Sequence, residues 1–250
     1  MNIRNIACPL IALTSCLTLV GCHQPQQSVK PGINERFKGD FKIGPWLERF
    51  ESESREVYDQ RRTILDDIDL APGMEIADIG AGTGFFSFMF ADVVGDSGIV
   101  YAVDIARPFI DHINNRAASR QQPQIKTILC EDDNAKLPPR SIDRAFICDT
   151  YHHFEYPQST MASIAQALRP GGTLFVIDFR RYEEGAGIDD SKWMSLPTER
   201  QEWIRGHVRC DRQTIIEEIE AAGLRHDENF QPRCNAGMVE NYMIRFTRLP

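Results

Sequence analysis

Several features that would fix a function class are missing from this chain of 250 residues. It has no Lys/Arg stripe and no basic run interleaved with aromatics. The balance of 28 basic against 36 acidic residues gives a net charge of −8, which argues against a nucleic-acid partner held by its phosphates. No Cys-x-x-Cys or His-x-x-x-His spacing suggests a structural metal, and no metal ligand is assigned. No Gly-Lys-Ser/Thr follows a glycine loop, which excludes a P-loop. Internal repeats and low-complexity tracts are absent as well. The one long apolar run, Ile6 to Val20, is short for a membrane span.

What is present begins with Glu75 to Phe88, EIADIGAGTGFFSF. A short apolar strand ends in Asp78, glycines follow at Gly80, Gly82 and Gly84, and a helix is expected next. Glycine supplies the positive φ of a tight strand-to-helix turn and lets a ligand approach the backbone. The spacing G-x-G-x-G differs from the G-x-G-x-x-G of dinucleotide sites. A second strand, Gly98 to Ala106, ends in Asp104 with Pro108 opening a helix, and a carboxylate there suits a ribose. A third, Gln124 to Cys130, runs into Glu131, Asp132 and Asp133. The fourth, Ser141 to Asp149, empties into Tyr151, His152 and His153. Leu168 to Gly172, LRPGG, then closes a helix and launches a fifth strand with Asp178 near its end.

Helical patterns occupy roughly 46 to 69, 84 to 94, 107 to 119, 157 to 168 and 211 to 222, and strands alternate with them. That is an α/β pattern with a doubly wound, mostly parallel sheet and helices on both faces. The tail, 224 to 230 and 239 to 248, reads as two further strands, making seven, with the last antiparallel.

These elements resemble, in order, the motifs of class I S-adenosylmethionine-dependent methyltransferases, whose first motif is an acid followed by G-x-G-x-G. The resemblance implies that S-adenosylmethionine is the cofactor. It places Asp78, Gly80, Ala81, Gly82, Gly84, Asp104, Ile105 and Asp149 about it, with an acid of the third loop on the adenine amino group. Counting back from Leu137 favours Asp133 for that acid, and counting forward from the strand favours Glu131. Tyr151, His152 and His153 stand where the methyl group would sit, and a histidine there can take a proton near neutral pH. Packing beneath the cofactor explains His152 equally well. Phe50, Glu51, Arg55, Glu56 and Tyr58 before the first strand, and Trp193, Trp203, His207 and Arg209 after the fifth, are weaker candidates for pocket walls.

The N-terminus adds a setting. A positive start, the apolar run and Leu19-Val20-Gly21-Cys22 resemble a bacterial lipoprotein leader with a signal-peptidase II site. The expected organisation is a signal peptide over 1 to 21, lipidated Cys22 with a flexible tether to 45, and a methyltransferase domain over 46 to 250. With His23 rather than Asp after the cysteine, the expected place is the outer membrane, facing the periplasm. Lipid on Cys22 makes the membrane a partner, and the acceptor is expected to be a small or lipid-like molecule. A second expectation is an inactive lipoprotein that uses the fold to bind a ligand or protein. Of the four cysteines beyond Cys22, Cys210 with Cys234 is the disulfide to test, while Cys130 and Cys148 read as buried thiols. Oligomeric state is not legible.

Overall fold

The computed structural model describes residues 26–52, 55–182 and 190–250. Seven strands form one sheet: β1 (Glu75–Ile79), β2 (Ile99–Asp104), β3 (Ile125–Leu129), β4 (Ile142–Cys148), β5 (Leu168–Phe179), β6 (Leu224–His226) and β7 (Asn241–Arg248). Their order is β3-β2-β1-β4-β5-β7-β6, parallel throughout except that β7 runs antiparallel to both β5 and β6. This is the expected doubly wound sheet with one antiparallel strand near its edge. Strand order reverses between β1 and β4, so the ligand crevice is expected at their carboxyl ends.

Ten helices are described: α1 (Gly44–Phe50), α2 (Glu56–Asp59), α3 (Arg61–Ile68), α4 (Phe85–Val94), α5 (Arg107–Ser119), α6 (Pro157–Ala167), α7 (Asp190–Ser195), α8 (Thr198–His207), α9 (Arg212–Ala221) and α10 (Cys234–Gly237). The central strands carry buried residues on both faces. Ile76 packs with α3 and α4, whereas Ala77 and Ile79 pack with α6 and α9, so two apolar layers sandwich the sheet. A third cluster, Phe179, Trp193, Leu196, Ile204 and Val208, seats α7 and α8 over the end of β5. The α4 sequence FFSFMFADVV is apolar nearly all round, and six of its ten residues are buried. Gly84 in the left-handed region caps its start and Gly95 ends it.

Several expectations need correction. The single helix over 46 to 69 is three short helices, with a break after Phe50 and another at Gln60. LRPGG belongs to β5, where the register jumps from Ile142 opposite Leu168 to Arg144 opposite Thr173 and Gly171 adopts φ 78°. The strand expected over 224 to 230 stops at His226. Residues 26–45, expected as a tether, pack against the domain. The Val29 amide donates to the Glu155 carbonyl, Asn34 is buried, and Phe37 and Phe41 lie against Phe109. Cys210 and Cys234 are free thiols in opposite layers of the sandwich and cannot form a disulfide. Cys22 lies outside the described residues.

Candidate active site

At the carboxyl ends of β1, β2, β4 and β5 lies a cavity of about 490 Å³, floored by Ile79, Gly80, Gly82 and Asp104. The glycine loop is fixed from two sides. The Gly80 and Ala81 amides donate to the Val103 carbonyl at 2.8 and 3.0 Å, and the Gly82 amide donates to Asp104 Oδ2 at 2.8 Å. Gly80, Gly82 and Gly84 all take positive φ, at 72°, 55° and 80°. A Cβ on Gly80 would lie 2.2 Å from Thr150 Cγ2, so the backbone passes where only glycine fits. Asp78 is buried beneath the loop and does not line the cavity. Its Oδ2 accepts from Ser87 Oγ at 2.6 Å, and burial, aided by the nearby Asp104 charge, pushes its carboxyl up to about 7.

Asp104 closes β2 with both carboxylate oxygens engaged: Oδ1 accepts from the Ala106 amide at 2.8 Å, at the start of α5. Each oxygen can accept a further hydrogen bond, and Asp104 lines the cavity. Burial raises this carboxyl to about 6 against the opposing pull of its three backbone hydrogen bonds. Ile105 lines the cavity beside it. Ala81 and Gly84 shape the turn without lining it.

In the third loop Glu131 and Asp132 border the cavity. Asp133, which counting back from Leu137 favours, is exposed and does not line it. Asp132 Oδ1 accepts from Asn34 Nδ2 at 3.4 Å, and Asp132 pairs with Lys38 at 3.4 Å, which ties the N-terminal segment across the opening. Phe37, Trp46, Phe50 and Phe109 supply an aromatic wall. Asp149, at φ 49°, pairs with Arg55 and accepts from Asn241 Nδ2 at 2.6 Å. Burial raises its carboxyl, opposed by Arg55.

The residues after β4 divide. Tyr151 turns away from the cavity: it is fully buried, and its hydroxyl donates to Glu218 on α9, which Arg209 also grips. The catalytic expectation for Tyr151 is therefore corrected to a packing role. His152 and His153 both line the cavity and are joined there by His207, the last residue of α8. His152 Nδ1 lies 2.7 Å from Asp178 Oδ1, and its Nε2 lies 3.2 Å from His207 Nε2. Asp178, fully buried, also accepts from the amides of His152 and Phe179 at 3.0 and 2.7 Å. Burial, with the neighbouring His152 charge next, depresses His153 to about 2 and His207 to about 4, so both rings are neutral at physiological pH. No spacing along the chain joins His152 to Asp178 and His207; their meeting depends on β5 lying beside β4 and on α8 folding over it.

The outlying candidates divide in the same way. Trp203 lines the cavity and stacks on His207 with centroids 4.5 Å apart. Tyr58 stacks on Phe85, Glu56 accepts the amides of Val239, Glu240 and Asn241, Glu51 pairs with Arg116, and Trp193 is core.

Residues 77–176 match the family model described as "Methyltransferase domain". Residues 77–176 are thus an S-adenosylmethionine-dependent methyltransferase domain, and the seven-stranded sheet has the class I methyltransferase fold. Among similar proteins is a ubiquinone/menaquinone biosynthesis C-methyltransferase of Bordetella parapertussis, 27% identical over 110 residues, covering 44% of this chain and 42% of that protein. The nocamycin O-methyltransferase of Saccharothrix syringae is 30% identical over 113 residues, covering 45% and 40%. The methyltransferase domain thus spans about two fifths of the curated relatives it matches. The fold agrees with an S-adenosylmethionine-dependent methyltransferase from Aquifex aeolicus, with TM-score 0.63, 19% identity, and 84% of this chain and all of that one covered. It agrees too with a Haemonchus contortus phosphoethanolamine N-methyltransferase in complex with S-adenosylmethionine, with TM-score 0.59, 15% identity, and 85% and 61% covered.

Proposed function

We propose that this protein methylates a small, largely apolar acceptor drawn in beneath the segment 26–52. The observation that carries this is a single cavity running from the glycine loop and Asp104 to the histidines at the end of β4. The donor end fits its ligand: the backbone of Gly80 and Gly82 lines the cavity floor beside Asp104, whose carboxylate oxygens can each accept a further hydrogen bond from ribose hydroxyls. When bound, S-adenosylmethionine supplies a methyl group on a positively charged sulfur, which needs alignment with the acceptor more than it needs acid or base help. Phe37, Trp46, Phe50, Phe154, Phe179 and Trp203 exclude water from the acceptor end and favour an apolar body. His152, held by Asp178, and His153, whose ring is neutral, stand at the acceptor end to meet its polar atom. Similarity to proteins named for ubiquinone/menaquinone and for nocamycin supports this choice of acceptor class.

Calorimetry of the full chain in detergent with S-adenosylmethionine and S-adenosylhomocysteine tests the reading. Binding of both is expected, and no binding at millimolar concentration to folded protein overturns it. The pH dependence has a definite sign. Asp104 must be ionised to accept ribose hydroxyls, and its carboxylate is lost as pH falls through about 6. Affinity for S-adenosylhomocysteine should therefore fall about tenfold from pH 7.5 to pH 5. A flat profile would remove Asp104 from the ribose site.

We propose further that Cys22 carries lipid and holds the domain at the outer membrane, facing the periplasm. The leader and its Leu-Val-Gly-Cys end support this. Cys22→Ser should move the protein from the membrane to the soluble fraction of cells; unchanged fractionation would refute lipidation.

A further inference from the structure

Three imidazoles on the acceptor side of the cavity converge from separate elements. His152 and His153 come from the short turn after β4, and His207 from the end of α8. One nitrogen from each lies within 4.8 Å of the others. The rings pack at centroid distances of 4.4 Å (His152 and His153), 4.9 Å (His152 and His207) and 5.3 Å (His153 and His207). We propose that His152, His153 and His207 form a binding site for a divalent transition-metal ion, with its open coordination positions turned into the cavity.

The key distance is the 3.2 Å between His152 Nε2 and His207 Nε2. Two imidazole nitrogens that each bind one ion at about 2.0 to 2.1 Å stand about 2.8 to 3.4 Å apart, from octahedral to tetrahedral geometry. The same 3.2 Å also admits a hydrogen bond, with His207 donating to His152, so the distance alone does not decide. The surroundings favour the ion. Asp178 accepts from His152 Nδ1–H, which puts the proton on Nδ1 and leaves a lone pair on Nε2, and a carboxylate behind a ligating histidine fixes ring orientation and raises basicity. Trp203 stacked on His207 holds the second ring in place.

His153 supplies the second, independent sign. Arg36 Nη2 lies 3.3 Å from its Nε2, and a guanidinium only donates, so the ring proton sits on Nδ1. That Nδ1 is buried with no hydrogen-bond partner. A buried donor without an acceptor is an unfavourable arrangement. Moving the ring proton to Nε2, with Arg36 released from that nitrogen, removes it, because the Nδ1 lone pair is then free for the ion. Arg36 belongs to the packed N-terminal segment, so loading the third ligand is coupled to that segment.

Three neutral nitrogen ligands suit Zn²⁺, Co²⁺ or Ni²⁺ better than Mg²⁺ or Ca²⁺, which take oxygen ligands. A three-histidine set with a vacant position is also the arrangement that binds an oxygen or nitrogen atom of a second molecule. That atom would belong to the methyl acceptor, and this last step rests on the function proposed above; ion binding does not.

The test uses the full chain in detergent, stripped with chelator and dialysed against Zn²⁺ or Co²⁺. About one ion per chain is expected, with visible Co²⁺ bands that mark nitrogen ligation in a low-coordinate site. His207→Ala and His152→Ala should each weaken retention at least tenfold, and Asp178→Asn, acting through His152, by about 10- to 100-fold with altered Co²⁺ bands. Circular dichroism and S-adenosylhomocysteine calorimetry on the same samples separate loss of the ion from loss of the fold or of donor binding. His207, half-buried at the end of its helix, is the variant least able to disturb folding. No ion above background in the folded parent, or an ion retained equally by both histidine variants, would overturn the site and leave the hydrogen-bonded pair. Ion binding without S-adenosylhomocysteine binding would instead overturn the methyltransferase reading and leave the metal site standing.

Discussion

Gly80→Ala is expected to destabilise the fold by about 2 to 4 kcal/mol and to weaken S-adenosylhomocysteine binding at least about 100-fold. Two costs combine. At φ 72° an alanine carries a backbone penalty of about 1 to 2 kcal/mol. Its Cβ would also stand 2.2 Å from Thr150 Cγ2, and Thr150 cannot turn aside freely because its Oγ1 donates to the Cys148 carbonyl at 3.0 Å. Relief must come from moving the loop, which breaks the 2.8 Å bond from the Gly80 amide to Val103 and shifts Gly82 off Asp104. Gly171→Ala provides the comparison. Gly171 has φ 78° and open space around its missing Cβ, so it incurs the backbone penalty alone. Urea unfolding should show a loss of about 1 to 2 kcal/mol for Gly171→Ala with donor affinity unchanged. Equal affinities for the two variants would mean that the glycine loop does not hold the donor.

What sequence patterns revealed and what they hid follows from the range of the interactions involved. Period and punctuation are local, so the five parallel strands and α5, whose bounds Arg107–Ser119 match the expected 107 to 119, were readable from Pro108 and the apolar spacing. The glycine loop was readable for the same reason: its turn chemistry lies within six residues. Local reading failed where a tertiary contact overrides it. Residues 26–45 look like a tether because Gln, Pro, Gly and Lys outnumber apolar residues, yet Phe37 and Phe41 each find Phe109 on α5. Tyr151 and His152 are adjacent in sequence, but the turn after β4 sends one toward α9 and the other toward β5. No composition rule distinguishes them. Asp133 and Asp132 differ by one position, and the tight Glu131–Asn134 bridge decides which faces the cavity.

The buried acid at the end of β5 shows how strongly such a tertiary contact can weigh. Asp178→Ala should be the most damaging of these substitutions, costing about 3 to 9 kcal/mol, because one side chain satisfies three buried donors. Its Oδ2 accepts the His152 amide, and its Oδ1 accepts both His152 Nδ1 and the Phe179 amide. Alanine offers none of these an acceptor, and with Asp178 fully buried water has little access to replace it. Each unsatisfied donor costs about 1 to 3 kcal/mol, against a typical whole-domain stability of about 5 to 15 kcal/mol, so the alanine variant should be near the limit of folding. Asp178→Asn separates the charge from the geometry. Its carbonyl oxygen at the Oδ1 position still serves His152 Nδ1 and Phe179, while its amide group meets the His152 amide donor to donor. One lost bond, about 1 to 3 kcal/mol, is the expected cost. Denaturant midpoints for the two variants measure the difference. If Asp178→Ala and Asp178→Asn unfold at the same denaturant concentration, the three hydrogen bonds are not what holds the turn after β4 against β5. The His152 ring would then lack the fixed orientation that its proposed roles in methyl transfer and ion binding rest on.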